Sequence, residues 1–402
     1  MQKRSWVRLT ALGATAVLAL AGCSSSKKSS GGGGGLGGGS SSSGGGGGTG
    51  KTYKLGFQGA LSGDNQQLGI NEVNSVELAI EQANAKPDLG FKLTLIKSDD
   101  GGDAAKAPAA AATLVQDDAV IGVIGPIFSG PTSATGKTYA AASMPLISPS
   151  ATNEDLTKSG FTTFHRIVPT DGVEGIAAAD YLAKKYKNVF VVDDTSVYGK
   201  GVGDVVRKEL KAKNITVESQ GVAADTKDYG AISQKVVSSG AQAMFYGGYD
   251  AQAGLFAKAL KSASFKGLAI GGNGAKSTVF EKASGSAGNG WQFSCGCLDA
   301  TAAPSAKAFN AAYQAKFKTA PSTYSPEAYD ATNAMIQAIK TAQGAGEVTR
   351  KSVETAVNAL DYTGITAQIK FAPSGEVAQA TVNLYTQKNG KIVLIGDIKK
   401  QG

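Results

Sequence analysis

Short apolar runs alternate with longer amphipathic runs from Tyr53 almost to the end of the chain. In the first unit, the run YKLGF and the run FKLTLIKSDD flank a segment with Val73, Val76, Ile80 and Ala83 at helical spacing. The unit is therefore β-α-β, and it repeats. The later apolar runs, each separated by an amphipathic stretch, are AVIGVIGP, MPLISPS, NVFVVDD, ITVESQGV, AQAMFYGGY and LAIGGN. This alternation predicts an α/β fold with parallel sheets covered by helices on both faces.

The pattern changes after Trp291. Three helical segments come first, and a polar stretch typical of a hairpin, ATVNLYTQKNGKIVLIG, follows them. The helical segments are SAKAFNAAYQAKF, PEAYDATNAMIQAIK and RKSVETAVNAL. With 402 residues, 42% of them hydrophobic and 18% charged, the chain is long enough for two domains that each bury a core.

The N-terminal tract is dominated by glycine and serine. Between Ser24 and Gly50 hardly any other residue occurs, so this tract cannot offset the entropy cost of ordering. We expect a flexible tether with a root-mean-square span of about 25 to 30 Å. Its end, GGGGGTGKT at Gly44 to Thr52, matches the phosphate-loop pattern. A phosphate loop needs a strand before it and a helix after it, whereas here a flexible tract precedes and a strand follows, so we do not expect nucleotide binding.

The first residues have the character of an export signal. Lys3, Arg4 and Arg8 precede the apolar run LTALGATAVLALAG, which is too short to span a bilayer. The run ends in LAGC at Cys23, which resembles the lipobox of bacterial lipoproteins. The resemblance implies removal of residues 1–22, a lipid on the thiol of Cys23, and a position at the outer face of the bacterial cell membrane. An ordinary secreted protein with an unmodified Cys23 is the alternative.

Cys295 and Cys297 form a C-G-C pair in a chain that we expect to be exported. An oxidising compartment favours a disulfide between them, although the ring is small. Two free thiols are the alternative. A metal site is not expected, because the chain contains only one histidine.

Catalytic groups are not apparent in the sequence. A hydrolase triad needs a base beside its nucleophile, and the only histidine, His165, lies in the extended stretch FHRIVP, where a structural role is expected. Asp99 and Asp100 follow a strand without further carboxylates at ligand spacing, so we interpret them as loop caps. The formal net charge of +8 is spread along the chain without a basic run interleaved with aromatics, which argues against nucleic acid. No cofactor is expected.

The ends of the predicted strands combine small residues with hydroxyl and aromatic groups. In open α/β sheets, ligands bind beyond the carboxyl ends of the strands, so these loops are the candidate site. They are Gln58–Gly63, Gly125–Gly130, Ser148–Asn153, Val197–Gly199, Tyr246–Tyr249 and Gly271–Gly274. Their composition suits a small, polar ligand that the backbone approaches closely.

The same loops carry a family resemblance over the chain from about Thr52 to the C-terminus. Their motifs are GALSG at Gly59, DD at Asp99, IGPIFSG at Ile124, ISPSATN at Ile147, YGKG at Tyr198 and YGGY at Tyr246. In this order they resemble the substrate-binding proteins of branched-chain amino-acid ABC transporters, the leucine/isoleucine/valine-binding family.

The resemblance implies the type I periplasmic-binding-protein fold, in which two doubly wound α/β lobes are joined by three hinge crossovers and close over a ligand. It implies residues 52–170 and 300–374 in the N-terminal lobe, and residues 171–299 and 375–402 in the C-terminal lobe. The signal segment, 1–22, and the lipidated tether, 23–51, precede them.

The resemblance also implies roles for individual residues. Ser129 and Thr152 are expected to bind the α-carboxylate of a ligand, since a hydroxyl and a backbone N–H at a helix N-terminus hold an anion without a buried counter-charge. Ser150, with Ala151 beside it, is expected to take part of the ammonium group. Tyr198 and Tyr249 are expected to close on the ligand from the second lobe.

Two residues depart from the family pattern. Asn273 stands where the amino-acid binders commonly place a carboxylate for the ammonium group, and Leu68 stands at an aromatic position of the first loop. An amide supplies no charge, and a charge-assisted hydrogen bond is roughly twice as strong as a neutral one. The departures leave open another amino acid, a small amide, or a carboxylate without an ammonium group.

The function implied is capture of such a solute for delivery to an ABC permease, by a monomeric, non-enzymatic binding protein. A sensor with the same fold whose closed form engages a signalling partner is one alternative. An exported hydrolase, the other, requires catalytic groups that the sequence does not offer.

Overall fold

A computed structural model describes residues 50–378 and 381–401. The predicted signal segment, Cys23 and the tether up to residue 49 lie outside the described residues. Lys51 directly precedes the first strand, and no helix follows it there. Within the described part of the chain, no helix is both long and apolar enough to cross a membrane.

Most strands coincide with the apolar runs or the hairpin stretch of the sequence, whereas the short strands at 164–166, 292–295, 362–363 and 368–369 were not predicted. The strands are β1 (Thr52–Gly59), β2 (Lys92–Asp99), β3 (Val120–Ile124), β4 (Leu146–Ser148), β5 (Phe164–Arg166), β6 (Asn188–Asp193), β7 (Thr216–Gly221), β8 (Ala243–Gly247), β9 (Leu268–Gly271), β10 (Gln292–Cys295), β11 (Tyr362–Thr363), β12 (Gln368–Ile369), β13 (Asn383–Lys388) and β14 (Lys391–Asp397).

The helices occupy the amphipathic runs between the strands. They are α1 (Gln66–Asn84), α2 (Ala107–Val115), α3 (Ser129–Ala141), α4 (Asp171–Lys185), α5 (Val197–Ala212), α6 (Gly230–Ser238), α7 (Asp250–Ser262), α8 (Thr278–Ser284), α9 (Lys307–Phe317), α10 (Ser325–Ala345) and α11 (Arg350–Asn358).

Two sheets form the centres of two lobes. The first sheet is entirely parallel and has the order β2-β1-β3-β4-β5. The second has the order β14-β13-β10-β9-β8-β6-β7, in which β6 to β10 are parallel and the antiparallel hairpin of β13 and β14 extends one edge. Its parallel part, β7-β6-β8-β9-β10, repeats the order of the first sheet. The fold is therefore the predicted pair of doubly wound α/β lobes.

Apolar faces of strands and helices form a separate core in each lobe. On α1, the residues predicted from helical spacing are all buried, and they pack with Ala331 and Met335 of α10 against β1. In the second lobe, Phe190 of β6 and Met244 of β8 pack against Phe256 of α7. Burial on both faces explains why the parallel strands read as continuous apolar runs.

The chain passes between the two lobes three times. The first crossover, residues 167–170, joins β5 to α4; the second, 296–306, joins β10 to α9; the third, 370–382, joins β12 to β13. Cys295 and Cys297 are joined by a disulfide where the second crossover begins. The exact lobe boundaries inferred from the family resemblance stay predictions.

Arg166, the last residue of β5, is fully buried beside the first crossover. Its guanidinium donates to both carboxylate oxygens of Glu376 in the third crossover, at 2.9 and 2.6 Å. It also donates to the carbonyl oxygens of Ala151 and Asn153, at 3.0 and 2.7 Å. One side chain thus fixes two crossovers and the loop that follows β4.

We predict that Arg166→Met lowers the free energy of unfolding by about 3 to 5 kcal/mol, because it leaves Glu376 and two carbonyl groups without their donor. Urea-induced unfolding measures the loss. The control is Lys340→Ala, which removes the exposed ion pair with Asp88 and should change stability by less than about 0.5 kcal/mol. Equal effects of the two substitutions would contradict the structural role of Arg166.

Candidate functional site

The candidate site lies where strand order reverses in both sheets. In the first sheet the reversal falls between β1 and β3, and in the second between β6 and β8. Loops that leave neighbouring strands on opposite sides of a sheet diverge at this point and leave a crevice at the carboxyl ends. Two such crevices, one from each lobe, enclose one cavity.

In this closed arrangement the cavity is narrow: about 230 Å³ of space lies between its atoms, open solvent included, and only about 10 Å³ of it admits the centre of a water molecule. Six of the eight predicted ligand-binding residues line it, whereas Ala151 and Thr152 do not. The lining residues are Leu68, Ile127, Phe128, Ser129, Ser150, Tyr198, Tyr249, Asn273, Gly274 and Tyr324. None of these side chains carries a charge. The roles of the predicted residues in binding stay predictions.

The first-lobe wall contains the N-terminus of α3, which starts at Ser129. The preceding residue, Phe128, is extended and provides no side-chain cap, whereas Ser196 caps α5 with a hydrogen bond to the backbone N–H of Gly199. The Ser129 hydroxyl accepts from the N–H of Asn153 at 3.2 Å. An uncapped N-terminus with a hydroxyl beside it suits a carboxylate.

Ser150 lies on the same wall, in front of a buried carboxyl group. Its hydroxyl donates to the carbonyl oxygen of Ile127 at 2.7 Å and lies 3.1 Å from Oε2 of Glu72. Burial raises the pKa of Glu72 well above its ordinary value, and the nearby Glu327 contributes to the rise. The Ser150 hydroxyl and the Glu72 carboxyl group therefore share a hydrogen bond inside the first lobe.

Ala151 and Thr152 lie behind the cavity wall. The carbonyl oxygen of Ala151 accepts from Arg166, and that of Thr152 accepts from the N–H of Asp171, the first residue of α4, at 2.8 Å. The Thr152 hydroxyl and both carboxylate oxygens of Asp171 are buried without a hydrogen-bond partner among the described residues. Burial, with the nearby Glu174, raises the pKa of Asp171 well above its ordinary value.

Aromatic rings from both lobes meet across the cavity. The ring of Tyr249 lies 4.6 Å from that of Phe128 in the first lobe and 5.3 Å from that of Tyr198 in its own lobe, measured between centroids. The Tyr198 hydroxyl accepts from the N–H of Gly274 at 3.0 Å. The Tyr324 hydroxyl is buried without a partner among the described residues. These rings offer apolar contact and free hydroxyl groups to a small ligand.

Asn273 is held from behind by Glu174 of α4. The backbone N–H of Asn273 donates to Oε1 of Glu174 at 2.9 Å, and its side-chain amide donates to Oε2. The Ser294 hydroxyl donates to Oε1 at 2.9 Å. Burial raises the pKa of Glu174 to about 7, against the opposing effect of these hydrogen bonds.

Sequence reasoning missed Glu174, Phe128 and Tyr324. Glu174 had a signal, since it occupies the buried stripe of α4 together with Tyr181 and Leu182, where an acid is out of place. Phe128 lay within a quoted loop but was given no role. Tyr324 precedes a helix far along the chain, and only the tertiary fold brings it to the cavity.

The lobes contact each other on either side of the cavity. The Asn153 side chain donates to the carbonyl oxygen of Val197 at 2.9 Å. Asp64 pairs with Lys227 and accepts from Gln252 at 3.2 Å. This arrangement corresponds to lobes closed over the site.

The histidine and the aspartate pair that the sequence singled out lie outside the cavity lining. The ring nitrogens of the buried His165 lie 3.2 Å from the carbonyl oxygen of Leu146 and 3.3 Å from Oδ1 of Asn358, away from the cavity lining. Asp99 accepts from the backbone N–H groups of Gly101 in its own loop and of Leu61 in the loop after β1, and Asp100 accepts from that of Gly102. No group of three or more His, Cys, Asp or Glu side chains within residues 50–378 and 381–401 is placed to hold a metal.

Comparisons with known proteins agree with this geometry. The sequence profile described as "periplasmic binding protein" matches residues 52–391. A Leu/Ile/Val-binding protein of Rhizobium johnstonii is 29% identical over 344 residues, which cover 84% of this chain and 92% of that protein.

Solved structures share the fold. A branched-chain amino acid transporter substrate-binding protein from Streptococcus pneumoniae, in complex with isoleucine, has a TM-score of 0.78 and 26% identity, covering 86% of this chain and 100% of its own. A solute-binding protein of an ABC transporter from R. palustris, in complex with benzoate, has a TM-score of 0.76 and 22% identity, covering 86% of this chain and 96% of its own.

We predict that Gly201→Ala prevents full closure of the lobes. A Cβ atom at this position of α5 would lie 2.4 Å from Nδ2 of Asn153 in the first lobe and 2.9 Å from Oδ2 of Asp171. Small-angle X-ray scattering should show a larger radius of gyration. Gly344→Ala is the control, since it makes the same change in α10 with no atom within 4 Å. A Gly201→Ala protein as compact as the control would contradict the prediction.

Proposed function

Because the chain belongs to the periplasmic binding protein family, we propose that it is an extracytoplasmic lipoprotein that captures an amino acid or related small solute and delivers it to an ABC permease. The observation that carries the proposal is the cavity enclosed by the strand ends of both lobes. Its lining of hydroxyl, amide and aromatic groups fits a small polar molecule.

Binding and release follow from the position of the cavity. A ligand that contacts both walls stabilises the closed arrangement over an open one by its differential affinity for the two states. A permease that recognises the closed form would then receive only loaded protein. The reaction cycle needs no bond to be broken in the solute, so the protein works without enzymatic activity and without a cofactor.

The anchor is the second part of the proposal. A lipid on Cys23 would hold the protein at the outer face of the cell membrane, and the Gly/Ser tether would let a monomeric binding domain move above the permease. The LAGC sequence that ends at Cys23, which resembles the lipobox of bacterial lipoproteins, supports it.

A thermal-shift panel of the standard L-amino acids, their small amides, benzoate and aliphatic carboxylates tests the ligand class with the full chain in a mild detergent. A ligand at a hundred times its dissociation constant should stabilise the protein by about 2.7 kcal/mol. Calorimetry then gives the affinity. If no panel member stabilises the protein, the proposed solute class is wrong, and chemical turnover of a bound member would overturn the binding-only function.

We expect Ser129→Ala to weaken a carboxylate-bearing ligand about tenfold, because a hydrogen bond to a charged group contributes about 1.5 kcal/mol or more. Calorimetric titration of the best panel ligand measures the change. Ser238→Ala on the exposed face of α6 is the matched control, with no expected effect. Unchanged affinity in Ser129→Ala would remove Ser129 from the site.

The lipid anchor predicts that Cys23→Ser moves the protein out of the membrane fraction. Without the thiol there is no site for the lipid. Cell fractionation with immunoblotting measures the distribution, and Cys295→Ser serves as the control that keeps Cys23. Membrane retention of the Cys23→Ser protein would contradict lipid anchoring through this residue.

A further inference from the structure

Glu174 is a fully buried carboxylate whose hydrogen-bond donors are all neutral. They are the backbone N–H and side-chain amide of Asn273 and the hydroxyl of Ser294. A carboxylate only accepts hydrogen bonds, so the Asn273 amide must turn its nitrogen toward Glu174 and its oxygen away. The orientation of Asn273 is therefore set by the charge behind it.

Asn273 lines the cavity, and no described residue donates a hydrogen bond to its side-chain oxygen. This oxygen, an acceptor polarised by a carboxylate on the other side of the same amide, is thus free for a ligand. The cavity lining contains no Lys or Arg. A buried carboxylate without a counter-charge is costly, and a cationic group in the cavity would offset that cost.

The opposite wall has the complementary character. The uncapped N-terminus of α3 and the Ser129 hydroxyl provide donors for an anion. A ligand with a carboxylate at one end and a cation at the other matches both walls. A simple carboxylate such as benzoate would match only the α3 wall and would leave Glu174 uncompensated.

We propose that the ligand carries a protonated amine that donates to the side-chain oxygen of Asn273, while Glu174 supplies the negative charge through this amide. The inference rests on the proposed function and narrows its ligand class to amino acids. Glu174 is a positioning residue, since it reaches the ligand only through Asn273.

The first test needs no substitution. The tightest-binding L-amino acid of the panel is compared by calorimetry with the acid that lacks only its amino group, for example L-leucine with 4-methylpentanoate. We expect the amino acid to bind the unaltered protein about tenfold or more tightly. Equal or tighter binding of the acid without the amine, or of benzoate, overturns this inference but leaves solute binding intact.

The second test removes the charge. Glu174→Gln keeps the shape of the side chain and should weaken the amino acid about tenfold or more while leaving the acid without the amine unchanged. Glu354→Gln is the control, because burial also raises the pKa of Glu354 on α11 to about 7, but its side chain accepts a hydrogen bond from Asn358, which does not line the cavity. Equal losses for both ligands in Glu174→Gln indicate structural damage and overturn the assigned role.

The third test moves the carboxylate from position 174 to position 273, which lines the cavity. Adding Asn273→Asp to Glu174→Gln exchanges the carboxylate and the amide between the two positions. The exchange should restore affinity for the amino acid to within about threefold of the original. A double variant that folds, as judged by its melting temperature, and binds no better than Glu174→Gln overturns the proposal.

The dependence of ligand affinity on pH distinguishes a charge-supplying role of Glu174 from a purely structural one. Glu174 has its pKa raised to about 7, and the groups that face it are Asp171 on its own helix, Tyr198 of α5 and Tyr324 before α10. Protonation of Glu174 removes the charge, so affinity for the amino acid should fall between about pH 8 and about pH 5.5. Glu174→Gln should flatten this profile, and an unchanged slope contradicts the role of Glu174.

Discussion

The buried guanidinium of Arg166 is the interaction on which the arrangement of the site depends. A charge without solvent is tolerated only where hydrogen bonds satisfy it, and here Glu376 and two backbone carbonyl groups do so. The partners come from the loop after β4 and from the third crossover. The Arg166 guanidinium, which stays charged at all ordinary pH values, therefore fixes the position of Ser150. It also fixes the first crossover, residues 167–170, which leads into the second lobe.

The cavity owes its polarity to the elements that end there. Parallel strands deliver helix N-termini, and hence uncapped N–H groups, to one edge of each sheet. On the α3 wall these donors face the cavity directly. On the opposite wall, the buried acid of α4 lies behind Asn273 and gives that side the opposite sign. Only neutral groups line the cavity on both walls. The charged carboxylate of Glu174 lies behind Asn273.

Local pattern predicted the fold well, because strands buried on both faces and helices buried on one leave periodic apolar runs. Local pattern pointed to the strand-end loops, and the family resemblance implied the eight individual site residues, six of which line the cavity. Contacts between residues far apart in the sequence could not be predicted from local pattern. Glu174 gains its significance from contact with Asn273, 99 positions away, and Tyr324 reaches the cavity from the start of α10. The short β5 was recognised only as extended, since three residues carry too little periodicity to establish a strand.

The identical strand order of the two lobes gives each sheet its own crevice, and each crevice forms one wall of the cavity. Backbone N–H groups at the N-terminus of α3 contribute to one wall, and substitutions of side chains leave these donors in place. On the opposite wall, the side chains of Asn273 and Glu174 set the polarity. On the proposed binding mode, the two walls can therefore evolve independently. Substitutions near Asn273 can change which ligand group the second lobe binds, while the α3 wall still binds a carboxylate. A few substitutions on the Asn273 wall are then enough for one scaffold to bind solutes as different as an amino acid and an aromatic acid.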